Sequence, residues 1–277
     1  MPEQEAPPEA PSYGVASGPP PVAEAPPSEP AKIGPLGRLT GVLLSPGETF
    51  QDINRKPTII APVIVALLLA VGGYFIFVSR VNPDWNAIVR TQIKKQVERS
   101  GQSLSEEDLD RRVSMGAGIA KLTPLLLPVF IPIGYAVLAG IFALGMVLIQ
   151  AKTTYKKIFS VVAWTFASIS LVSLVVTTAA LMIQDKETLS ALDPSRFNTI
   201  APTSVGAFLD SSVSPALRTL AGWLDVFTIW RIVALTIGLT AVAGSRKITT
   251  SKTATIVVGV FIIGALIATG WSAITGQ

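Results

Sequence analysis

Five stretches of this chain run long and apolar: about residues 58–79, 122–149, 158–183, 224–244 and 254–273. Four of them hold no charged residue, and 224–244 holds only Asp225 and Arg231. Each has about the twenty residues that a helix needs to cross a hydrocarbon core of about 30 Å. One such run reads equally well as a buried helix of a soluble core, but five in one chain do not. The pattern predicts an all-α, polytopic membrane helix bundle with five transmembrane helices plus short interfacial amphipathic helices.

The shorter periodic stretches supply the amphipathic elements. Leu36, Leu39 and Leu43 mark a short interfacial helix. A second helix follows, with Ser45 as N-cap, Pro46 at the first helical position and Glu48 completing a capping box. Phe50 and Ile53 share one side of it, and Gln51, Asp52 and Asn54 are expected to face elsewhere. Arg55 and Lys56 close it with positive charge, and Pro57 breaks it. Residues 80–121 read as an external helical hairpin. Asn82-Pro83 is its expected start, with Trp85, Ile88, Val89, Ile93 and Val97 at helical spacing. Ser103 with Glu106 is the expected cap of its second arm, which carries Leu109 and Val113. Such a hairpin lies on lipid headgroups or stands solvated against the spans. Ser214-Pro215 opens a further amphipathic run, Leu217, Leu220 and Leu224, expected flat on the outer surface.

Composition agrees with lipid as the solvent. Charged residues make up 14% of the chain and the apolar class 49%, with mean hydropathy +0.54; soluble domains carry about a quarter charged residues. The net charge of +4 comes from small groups of Lys and Arg flanking apolar runs, which is a topology signal and not a nucleic-acid footprint. The chain has no Cys and no His. That removes disulfides, thiolate and imidazole metal sites, and Cys–His or Ser–His catalysis. Residues 1–35 are rich in Pro, Glu and Ala and almost free of large apolar side chains, so they are expected to form a disordered, polyproline-like tail. The three prolines at 19–21 could serve a proline-reading domain, or the segment is a solvated tail.

Charge sets the expected orientation. The connection Gln150–Lys157 and the connection Ser245–Lys252 each carry three cations and no acid, so both should face the cytoplasm. Arg55 and Lys56 put the N-terminus on that side, and five crossings leave the C-terminus external. The setting expected is a bacterial cytoplasmic membrane.

The spans carry packing marks more than chemistry. Pro124, Pro128 and Pro132 form a stripe expected to kink or loosen the start of span two. Ala136 with Gly140, Ala139 with Ala143, Ala163 with Ala167, and Gly264 with Ala268 are small-residue pairs suited to helix packing within the bundle or between copies. Arg231 is the exception. Only thirteen residues separate it from Ser245, about 20 Å of helix, so it must lie inside the membrane. The cost there is about 2.5–3.5 kcal/mol against about 3–6 from the apolar residues of that span, so span four inserts only marginally. Arg231 then snorkels to phosphates, pairs with a carbonyl of span two, or serves a function. Asp225, six positions away, is not its intrahelical partner.

In their order and spacing, several motifs resemble the Ypt-interacting-protein (Yip) domain family in its bacterial branch. They are Leu44-Ser45-Pro46 with Glu48-Thr49-Phe50, then Lys56-Pro57, then Asp225, Phe227, Trp230 and Gly238. The resemblance covers about residues 36–273. It implies a polytopic membrane protein with a cytoplasmic N-terminus. Eukaryotic members are similar to adaptors for prenylated small GTPases, and the Asp-Leu-Tyr-Gly-Pro motif associated with them is absent here. Enzyme readings lack their parts: there is no His, no pair of intramembrane Asp residues and no GxxxxGK[ST] loop. No cofactor is implied. Two readings remain. One is a non-catalytic scaffold or adaptor that meets the lipid bilayer and a cytosolic partner through residues 1–56. The other is a small transporter or channel with a polar path near Arg231. The residues singled out for interaction or intramembrane polarity are Ser45, Glu48, Phe50, Asp225, Trp230 and Arg231.

Overall fold

The computed structural model describes residues 33–101, 103–185, 189, 200–210 and 212–275. Most of the expected N-terminal tail, residues 1–32 with the prolines at 19–21, lies outside them. The helices are α1 (Pro35–Leu44), α2 (Pro46–Arg55), α3 (Ile60–Val81), α4 (Trp85–Ser100), α5 (Glu106–Leu148), α6 (Tyr155–Ile183), α7 (Pro215–Gly222), α8 (Val226–Val242) and α9 (Thr250–Thr275). A 3-10 turn, Val205–Phe208, precedes α7, and an isolated bridge joins Ser204 to Asp225.

Four of the five expected spans, α3, α5, α6 and α9, are long and apolar enough to cross a membrane. The fifth, α8, has 17 residues where the sequence suggested 224–244, about 25 Å of helix. Local chemistry at both ends explains the shortening. At the start, Asp225 sits outside the helix as N-cap, its Oδ2 accepting from the Thr228 N–H at 3.0 Å. At the finish, Gly244 turns the chain out with φ +68°.

The hairpin differs most from expectation. Its second arm is not a separate element: α5 is one helix of 43 residues, about 65 Å long and twice the depth of a hydrocarbon core. No proline separates Glu106 from the span, so the helix simply continues. Its cap is Ser105, whose Oγ accepts from the Asp108 N–H at 3.1 Å, in place of Ser103. The first arm begins at Trp85 under Asp84, whose Oδ1 accepts from Asn86 and Ala87; Asn82 instead closes α3 in a left-handed conformation. The apolar faces turn toward each other, with Val89 against Gly116 and with Leu109, Val113 and Ala117 buried. Arg90 is ion-paired with Glu106 and Asp110 on the polar side. The hairpin is thus packed on itself.

The proline stripe lies inside an unbroken helical stretch. Pro124 has no N–H for the carbonyl of Ala120, and the Tyr74 hydroxyl donates to that carbonyl instead, at 3.4 Å.

The main core gathers at one end of the bundle: Phe50, Ile53, Phe142, Met146, Ile158, Trp164, Leu235 and Leu239 are fully buried there. The two basic connections meet at this same end, where the Lys152 N–H donates to the Ala243 carbonyl at 2.8 Å. At the opposite end Arg80 closes the C-terminus of α6, donating to the carbonyls of Leu181 (3.0 Å) and Gln184 (2.7 Å). Around the middle, large apolar side chains such as Phe75, Leu125, Phe130, Leu144, Ile263 and Ile267 stay exposed. That is a surface made for hydrocarbon and not for water. α7 keeps the expected cap, Ser214 with Pro215 at the first position. It packs on α9, with the Thr219 hydroxyl donating to Ser272 at 2.9 Å and Trp223 lying over Gly264.

Candidate functional site: a buried polar hub beneath the basic loops

The Pro57 break between α2 and α3 leaves Thr58 outside any helix, with its backbone groups free to pair. They pair with one side chain. The Thr58 N–H donates to Ser160 Oγ at 3.1 Å, and the Ser160 hydroxyl donates back to the Thr58 carbonyl at 2.9 Å. One turn further along α6, the Trp164 indole N–H donates to Thr58 Oγ1 at 3.0 Å. The same hydroxyl oxygen accepts from Arg38 Nη1 at 3.0 Å. Arg38 then reaches Asp52: Nε and Nη2 both donate to Oδ2, at 2.9 and 2.7 Å. Arg38 and Asp52 are each only 2% exposed. Four elements, α1, α2, the Thr58 linker and α6, are therefore held by one continuous set of hydrogen bonds. Such a set stabilises only when every member is satisfied.

This corrects the orientation expected of α2. Asp52 does not face outward with Gln51; it is buried together with Thr49, Phe50 and Ile53. The reason is the cation supplied by α1, fourteen residues earlier, without which a carboxylate would not stay at that depth. Nor does Ser45 cap through its side chain. It stands at the N-cap position but makes no such bond, and Thr49 Oγ1 donates to its carbonyl at 2.9 Å.

The α2 helix is seated on α8. Phe50 is fully buried, and a Cβ placed on Gly238 would lie 2.5 Å from Val161 Cγ1 and 3.0 Å from the Phe50 ring. Gly238→Ala is therefore expected to lower stability by about 1–3 kcal/mol through overpacking. Adding Val161→Ala should recover much of it, as read from thermal unfolding in detergent; no recovery would place the strain elsewhere.

The six residues singled out by sequence do not form one site. Ser45 and Glu48 are exposed at the α1–α2 corner, Phe50 is core, Asp225 caps α8, and Trp230 is 37% exposed beside Arg231. Arg231 makes no hydrogen bond to a carbonyl of α5 among the described residues. Its guanidinium lies over the Phe166 ring, 5.3 Å from the centroid, and Phe166 meets Tyr135 at 5.5 Å. The aromatic face receives the charge in the way cation–π contacts do. Arg231 Nε and Asp225 Oδ1 are buried without a hydrogen-bond partner, and no salt bridge joins the two residues. Arg38, Asp52, Thr58, Ser160 and Trp164 were not singled out. The available signal was a lone Arg beside Leu39 and Val42 on one short helix, with a lone Asp between Phe50 and Ile53 on the next.

Among the described residues, a helical bundle with exposed apolar belts, charge gathered largely at its ends and amphipathic helices folded beneath the spans is a polytopic membrane protein. A family profile for the Yip1 domain matches residues 40–272, and the chain belongs to that family. It is similar to the membrane protein YknW of Bacillus subtilis (strain 168), 24% identical over 238 residues, or 82% of this chain and 88% of the relative. No solved structure matches it.

Proposed function

We propose that this Yip-family protein is a non-catalytic membrane scaffold or adaptor of the bacterial cytoplasmic membrane. Its basic loops and N-terminus face the cytoplasm and its C-terminus faces outward. Five helices, α8 included, cross the bilayer, and cytosolic partners or lipids meet the N-terminal region and the basic loops. The observation that carries the reading is the build of that end: Arg38, Asp52, Thr58, Ser160 and Trp164 hydrogen-bond to one another between α1, α2 and α6, which supports a fixed platform. Residues 35–55 are folded into this platform, so a partner reaches only their outer rim and the segment before them. The test is affinity capture from mild detergent with the full chain and with a form lacking residues 1–32, which spares the hub. A partner retained by the first and lost by the second supports the reading; identical captures from both oppose a tail-borne contact.

The unpartnered polar atoms of Arg231 and Asp225 favour a second reading, a solute path beside Phe166 and Tyr135. Intramembrane charges commonly mark such paths. Solute flux in liposomes that disappears in Arg231→Gln, with thermal unfolding unchanged, would favour transport over the scaffold.

A further inference from the structure

Seven cations crowd the basic end of the bundle, and none is ion-paired among the described residues. Lys56 follows α2; Lys152, Lys156 and Lys157 lie on the α5–α6 connection and the first turn of α6; Arg246, Lys247 and Lys252 lie on the α8–α9 connection and the start of α9. None forms a salt bridge with a described carboxylate, and all but the half-buried Lys157 are exposed. The two connections are fixed side by side by the Lys152–Ala243 backbone bond, so their charges form a single face. The acids of this end are few: Asp52 is buried against Arg38, and Glu48 is exposed. The other described acids belong to the hairpin or to the opposite end.

The complementary charge is in the same chain. Residues 1–31 contain Glu3, Glu5, Glu9, Glu24 and Glu29 and no Lys or Arg. That segment joins the structure at Ile33, just before α1, which is held to α6 through the hub. A flexible chain of this length spans about 30 Å root-mean-square, and a polyproline-like one reaches further at about 3.1 Å per residue, so every cation of the face is within reach. We infer that the acidic N-terminal segment docks on the basic face of its own bundle. Each exposed pair is weak, but tethering supplies an effective concentration in the millimolar range. The segment thereby acts as an internal competitor: an anionic partner or a headgroup gains the face only by displacing it. The inference does not depend on the scaffold reading, since it needs only the charges and the tether.

The chain has no Cys, so a Ser12→Cys, Thr154→Cys pair can be spin-labelled cleanly. Thr154 is exposed and its side chain caps nothing. The full chain is placed in nanodiscs of phosphatidylcholine with a minority of phosphatidylglycerol, diluted with unlabelled protein. The expected result is a narrow short-distance population at about 0.15 M salt that vanishes near 1 M, where the screening length falls from about 8 to about 3 Å. The same population should vanish when all five glutamates are changed to glutamine, a change outside the folded helices. A broad distribution indifferent to salt and to those substitutions overturns the proposal. So does a short-distance population seen in pure phosphatidylcholine but lost with phosphatidylglycerol, which would give the face to headgroups. Loss of the population on dilution with unlabelled protein would give it to a neighbouring copy, and also overturns it.

Discussion

Replacing Asp52 with alanine is expected to destabilise the protein by about 3–5 kcal/mol, the range for leaving one buried charge without its partner. The guanidinium of Arg38 would lose its acceptor at 2.7 and 2.9 Å while staying 2% exposed. It would then leave its site, drawing its Nη1 away from Thr58 Oγ1 and weakening the hold of α1 on α6. Arg38→Met should cost a similar amount by stranding the carboxylate. The pair Arg38→Met, Asp52→Leu should cost much less than the two single changes added together, because apolar replacements of similar size often match a buried ion pair in stability. Thermal unfolding in detergent reads all three. Single variants that melt with the wild type would show that the hub does not hold the α1–α2 platform. Strict additivity in the double variant would show that the two residues act separately.

How far the chain could be read before its structure depended on the range of the interaction. Apolar runs alone placed α3, α5, α6 and α9 as spans, because insertion depends on summed local hydrophobicity. One-signed charge in two short connections led to the expectation that they share a side, and the Lys152–Ala243 bond puts them at one end of the bundle. What failed was long-range or competitive. Asp52 looked like a surface residue because its depth is decided by Arg38 on another helix. The α5 start moved from the span boundary to Glu106 because nothing between the two interrupts a helix. Caps slipped by one or two residues, from Ser103 to Ser105 and from Asn82-Pro83 to Asp84, since neighbouring Ser, Asn and Asp residues compete for the same backbone N–H groups. Arg231 stood out as a charge within an apolar run, and its contact with Phe166 depends on the packing of α6 against α8 and has no signature in either segment.

Gly244 carries the second large effect, and its neighbour across the loop decides the size. It ends α8 at φ +68°, and a Cβ there would overlap the carbonyl oxygen of Lys152. A left-handed L-residue costs about 1–2 kcal/mol. Relieving the overlap requires moving backbone that also bonds Ala243, at about 1–3 kcal/mol more by the measure of other overpacked sites. Gly244→Ala is therefore expected to lose about 2–5 kcal/mol and to separate the two basic connections. Gly101 is the matched control, with φ +66° and open space around its missing side chain. Asparagine tolerates the left-handed region better than other residues with a Cβ. At Gly101 it should be nearly silent, while at Gly244 it should remain strongly destabilising because the overlap persists. If Gly244→Asn unfolds at the wild-type temperature, the two connections do not approach this closely and the single basic face dissolves with them. If both asparagine variants fail equally, conformation and not the Lys152 carbonyl sets the cost.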